Sequence, residues 1–102
     1  MVFEVIFSSE SQSDVQEAYD YYELQKEGLG KVFYDSILQH IDKISIFPFL
    51  YPNFKSYKKI KYQVVKKFPF IIYYRIIRKK KQVKILAIFH TSRNPKAMQN
   101  RL

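Results

Sequence analysis

The chain reads as an α+β domain in the order β-α-α-β-β-β, a helical hairpin packed on one face of a mostly antiparallel sheet. Three observations predict this. Apolar residues recur at helical spacing through the first half, the period changes to two after a loop over residues 48–57, and Gly28, Gly30 and Pro48 fall where helices must end. A length of 102 residues corresponds to one domain, and a 47% hydrophobic content is enough to build a core for it.

Taken in order, "VFEVIF" (residues 2–7) is a short strand of β-branched and aromatic residues with one charge. "SSESQS" offers a run of helix N-caps, after which Val15, Ala18, Tyr19 and Tyr22 fall at i, i+3, i+4 and i+7 on one helix face. The acids Glu10, Asp14, Glu17, Asp20, Glu23 and Glu27 are expected on the opposite, solvated side, and those in the first turn favour the helix dipole. The glycines of "EGLG" end this helix. A second helix runs from about Gly30 to Phe47 with Phe33, Ile37, Ile41 and Ile44 on one face, and Pro48 stops it. "YQVVKKF", "FIIYYRII" and "QVKILAIF" are three strands rich in Val, Ile, Phe and Tyr. Pro69 opens its strand, where a missing N–H does least harm. "RKKKQ" is a charged turn that makes the last two strands an antiparallel hairpin. Asn94-Pro95 then supplies an N-cap and a first-turn proline for a short closing helix through Met98.

The absence of cysteine removes disulfides, a thiolate nucleophile and Cys-based zinc sites, and fits a reducing cytoplasm. The start "MVFEVIFSSE" has no basic leader, and "FPFIIYY" is far shorter than the ~18 apolar residues of a membrane span, so a soluble cytoplasmic protein is expected. Charge is distributed unevenly. All nine acids lie in residues 1–42 with only Lys26 and Lys31 against them, a net of −7, whereas residues 43–102 hold sixteen Lys and Arg and no acid. A half without carboxylates implies a surface for a polyanion or an acidic protein segment.

Divalent-metal nucleases need carboxylates around the cation, and the basic half has none. There is no G-x-S-x-G and no glycine-rich phosphate loop, and no cofactor is implied. His40 lies beside the apolar stripe of the second helix and reads as a packed histidine. His90 ends a strand and is followed by Arg93 in a loop, so it reads equally as a polar strand end or as part of a site. The chemistry left open is metal-independent RNA cleavage, which needs a proton acceptor, a donor and cations for the phosphorane. Lys59, Lys61, Lys67, Arg75, His90 and Arg93, with Tyr73 or Tyr74, supply those groups, and the same residues would equally make a passive binding face.

The segments "AYDYYELQKEGLGKVFYDSILQHIDKISIFPFLYP", "KKFPFIIYYRI" and "VKILAIFHTSRNP" resemble, in order and spacing, the ParE/RelE superfamily of toxins from bacterial type II toxin–antitoxin modules, often described as plasmid-stabilisation proteins. The resemblance covers nearly the whole chain, and the β-α-α-β-β-β order is also that superfamily's fold. It implies a small cytoplasmic toxin neutralised in a hetero-oligomer by a cognate antitoxin, whose acidic segment would suit the acid-free half. Lys58, Lys59, Lys61, Arg75, Arg78 and Arg93 are the expected binding residues. Within the superfamily, RelE-like members cleave mRNA in the ribosome and ParE-like members poison DNA gyrase without cutting RNA. The "FPF…YY…FH…RNP" pattern is closer to the ParE-like side. RelE-like cleavers carry a basic residue where this chain has Pro69-Phe70, and relatives often have arginine where it has Lys61, which keeps the charge but loses the bidentate fork. Three functions therefore stand: a toxin that binds a protein target such as gyrase; a ribosome-dependent endoribonuclease using Lys61, Lys67, His90 and Arg93; and a non-toxic nucleic-acid-binding or adaptor module.

Overall fold

The computed structural model describes residues 2–55 and 57–102, with the side chain of Lys58 outside that description. The order is β1 (Glu4–Phe7), α1 (Ser9–Gln25), α2 (Leu29–Ile46), β2 (Asn53–Phe54), β3 (Tyr57–Val64), β4 (Phe70–Ile77) and β5 (Gln82–His90). A 3₁₀ segment, Pro95–Arg101, follows β5. The five strands form one sheet in the order β1-β5-β4-β3-β2. Only β1 pairs in parallel, with β5, so the expected α+β architecture and mostly antiparallel sheet are observed.

Ser8 caps α1, its side chain accepting the Ser11 N–H at 3.1 Å. The hairpin turn is held by Glu23, whose carboxylate accepts the N–H groups of Gly28 and Gly30. Gly28 has φ of 87°, a conformation that costs residues with a Cβ. Gly30 is needed for a different reason: a Cβ there would lie 2.9 Å from the Tyr19 carbonyl oxygen. The two helices cross closely at that point.

The stripe on α2 is as read, with Phe33, Ile37, Ile41 and Ile44 all buried against Ile72, Tyr74, Val83, Ile85 and Ile88 of the sheet. Burial pushes the Tyr74 hydroxyl well above the usual tyrosine range, and it donates to the Pro48 carbonyl at 2.7 Å. His40 is buried, its Nδ1 2.7 Å from the Ser36 carbonyl and its Nε2 accepting the Lys66 N–H at 3.3 Å, so the neutral Nδ1–H tautomer satisfies both contacts. The opposite face of the sheet carries a second apolar cluster, Phe54, Ile60, Tyr73, Leu86, Ala87 and Phe89, which Met98 of the 3₁₀ segment covers.

Four details differ from the sequence reading. Asp14 is buried against the sheet and not on the solvated side of α1, because α1 approaches β5 through the small residues Ser11 and Ala18. Residues 48–57, read as loop, contain the two-residue strand β2. β3 begins at Tyr57 and ends at Val64, earlier than "YQVVKKF" implied, since β2 gives its first half a partner. The closing helix is 3₁₀, opened as expected by Asn94, whose side chain accepts the Lys96 N–H, and by Pro95.

Candidate functional site

β4 remains paired to β5 along its whole length, ending at Ile77↔Gln82. Among the described residues its ladder to β3 runs from Val64↔Ile71 to Lys61↔Tyr74 and stops there, while β2 pairs with the other edge of β3. The two strands therefore fork, and a cleft of about 510 Å³ opens between them. Five cations line it: Lys59, Lys61, Arg75, Arg78 and Lys79. Its apolar lining is Phe49, Ile76 and Ile77, with the Arg78 guanidinium 4.5 Å from the Phe49 ring centre. No carboxylate lines the cleft among the described residues. Lys61 is partly occupied: its Nζ donates to the Tyr51 carbonyl at 2.9 Å and to Asn53 Oδ1 at 3.1 Å, bracing the loop that leads into β2.

A second groove lies at the far end of β5, where Asp14, Glu17 and Tyr21 of α1 meet Phe70, His90 and Arg93. β1 stops at Phe7, opposite Ile85, so the remainder of that β5 edge needs other partners. Asp14 supplies one, accepting the Ile88 N–H at 3.0 Å. It also takes both Arg101 Nη atoms, at 2.6 and 3.0 Å, and Arg101 donates in addition to the Leu86 carbonyl at 3.2 Å. Donating to the Asp14 carboxylate raises the Arg101 pKa above its ordinary value. Arg93 Nη1 is 4.0 Å from the same carboxylate. The guanidinium groups of Arg93 and Arg101 lie 4.1 and 4.8 Å from the Phe89 ring centre.

His90 stands edge-on to Phe70 and is exposed. Its Nδ1 is 2.7 Å from Ser92 Oγ and accepts the Ser92 N–H at 3.0 Å. In the neutral ring that leaves the proton on Nε2, which is a donor rather than a base.

The sequence-derived candidates thus fall into two groups. Lys59, Lys61, Arg75 and Arg78 converge on the fork between β3 and β4. His90 and Arg93 belong to the strand-end groove, and Lys67 is exposed in the turn before β4, at that same end of the sheet. Tyr73 and Tyr74 are buried on opposite faces of β4. Lys79, Asp14 and Arg101 were missed. The signal for Asp14 was its position four residues before Ala18 and three after Ser11, which continues the buried stripe of α1 toward its N-terminus.

No described helix is long and apolar enough to cross a membrane. Among curated proteins none matches the chain. Solved structures similar to it include the chromosomal ParDE toxin–antitoxin system from P. aeruginosa, 15% identical, covering 89% of this chain and 98% of that one, with a TM-score of 0.71. Another is the isolated E. coli RelE toxin, 10% identical over 98% of this chain and 99% of that one, TM-score 0.69. A third is the RelBE2 toxin–antitoxin complex from Mycobacterium tuberculosis, 13% identical over 88% and 99%, TM-score 0.64. At these identities the likeness is one of fold. The family model for the ParE toxin of the type II toxin–antitoxin system parDE matches residues 5–95, nearly the whole domain from β1 to the start of the 3₁₀ segment. The chain belongs to the ParE toxin family of type II toxin–antitoxin systems, within the wider ParE/RelE superfamily.

Proposed function

We propose that this chain is a cytoplasmic toxin held by a cognate antitoxin and that it acts by binding a protein target such as DNA gyrase, not by cutting RNA. The supporting observation is the separation of the groups that RNA cleavage would have to bring together. Lys61 is opposite Tyr74 and His90 is opposite Phe70, four residues apart along β4 and about 13 Å at strand spacing. The Lys61 ammonium braces a loop, while Arg93 is stacked on Phe89 beside the Asp14 carboxylate. Groups already engaged inside the fold have less freedom to follow charge developing on a phosphorane.

An antitoxin partner is supported by the similar RelBE2 structure, which is a toxin–antitoxin complex, and by the concentration of sixteen cations in residues 43–102. The ribosome-dependent endoribonuclease keeps one observation in its favour: Thr91 N–H donates to the Pro69 carbonyl, which brings the turn carrying Lys67 close to the loop between His90 and Arg93.

Purified protein should be assayed with gyrase on relaxed plasmid DNA and, separately, with programmed ribosomes. The proposal expects inhibition of supercoiling and intact mRNA. Ribosome-stimulated cleavage that His90→Ala and Arg93→Ala each reduce by ~10² or more, in folded protein, would establish the endoribonuclease instead.

A further inference from the structure

We infer that the fork between β3 and β4 is a docking cleft for an extended acidic peptide segment, entering as a strand against the end of β4; this rests on the antitoxin reading above and locates its contact. Three features of the cleft converge on that occupant. Arg75–Ile77 continues as strand beyond Tyr74, where the ladder to β3 among the described residues ends, so one edge of β4 faces the cleft with backbone groups suited to strand addition. Alternate side chains of an added strand would meet Ile76, Phe49 and the Arg78 guanidinium stacked on that ring on one side and Arg75 on the other. Among the described residues the charge there is of one sign, with Lys59 and Lys79 completing the ring, so acidic side chains are favoured and basic ones are repelled.

A nucleic-acid strand fits less well. Phosphate would satisfy the cations but would leave the open edge of β4 and the apolar lining without partners. A peptide uses all three features at once.

The test uses the full chain and a fluorescent peptide of alternating glutamate and valine. Controls are the same peptide with its backbone N-methylated, a lysine–valine peptide and a single-stranded oligonucleotide. The expected result is saturable binding of the acidic peptide, with amide exchange slowed across Arg75–Ile77. Binding should weaken about tenfold or more in the Arg75→Gln, Arg78→Gln double variant and be unchanged in Lys96→Gln, outside the cleft. N-methylation should abolish strand addition. Equal binding of the N-methylated peptide, or tighter cleft-dependent binding of the oligonucleotide, would overturn the inference. The protein encoded by the adjacent reading frame separates the two levels of the account. If it binds wild type and the double variant equally, the cleft assignment fails while the antitoxin reading stands. If the acidic peptide occupies the cleft but that protein does not bind at all, the cleft stands and the antitoxin reading fails.

Discussion

Removing Asp14 should be among the most damaging single changes to a charged residue of this fold, although a carboxylate on an acidic helix ordinarily contributes little. Its side chain is only 7% exposed, and that of its partner Arg101 only 14%. Asp14→Ala leaves the Arg101 guanidinium without its counter-charge and the Ile88 N–H without an acceptor. Breaking a buried pair from one side costs about 3–5 kcal/mol. Arg101→Ala is milder, because Asp14 keeps the Ile88 N–H and has Arg93 at 4.0 Å, and a loss of about 1–3 kcal/mol is expected. The two changes share one interaction, so the double variant should be less destabilised than the sum, with a coupling of about 0.5–3 kcal/mol. Urea unfolding followed by circular dichroism measures all three, provided the slope with denaturant is unchanged. A loss under about 0.5 kcal/mol for Asp14→Ala, or no coupling, would refute the view that this pair closes the β5 edge that β1 leaves open.

Other outcomes follow from the core and the turns. Phe33→Ala and Ile41→Ala should each cost about 2–5 kcal/mol in the same unfolding assay, since both are buried in the helix–sheet core. Gly30→Ala should destabilise by about 1–3 kcal/mol despite the higher helix propensity of alanine, because the new methyl meets the Tyr19 backbone; a stabilised variant would show that α1 and α2 can part freely. Tyr74 has a raised pKa through burial, so the native state holds its proton more tightly than the unfolded chain does. Its contribution is complete below the ordinary tyrosine pKa of about 10 and falls as pH rises beyond it. Thermal unfolding across alkaline pH should show that decline, and Tyr74→Phe should reduce it, leaving the part due to the burial of Tyr22 and Tyr73.

What the sequence made legible was whatever depends on local periodicity. Phe33, Ile37, Ile41 and Ile44 announce a buried helix face by spacing alone, and the glycines and Pro48 mark its ends. The strand-rich run from Tyr62 to Phe89 was equally plain. Asp14 was misplaced because a charged residue is assigned to solvent by default, and its partner Arg101 lies 87 residues away. The fork between β3 and β4 has no local signature either, since it depends on where the pairing of two strands ends. The cations of the basic half were visible individually. Which of them share a cleft was decided by sheet register, so Lys59, Lys61, Arg75 and Arg78 came together while Lys67, His90 and Arg93 went to the other end.

The most direct measurement of the central claim is induced expression of this chain in bacteria, with and without the adjacent gene, following growth, plasmid supercoiling and mRNA 5′ ends in the same cultures. The account predicts growth arrest with altered supercoiling, no new mRNA 5′ ends, and relief when the adjacent gene is expressed. Arrest with normal supercoiling and new 5′ ends in translated mRNA would contradict it, as would unimpaired growth of cells that accumulate the folded protein.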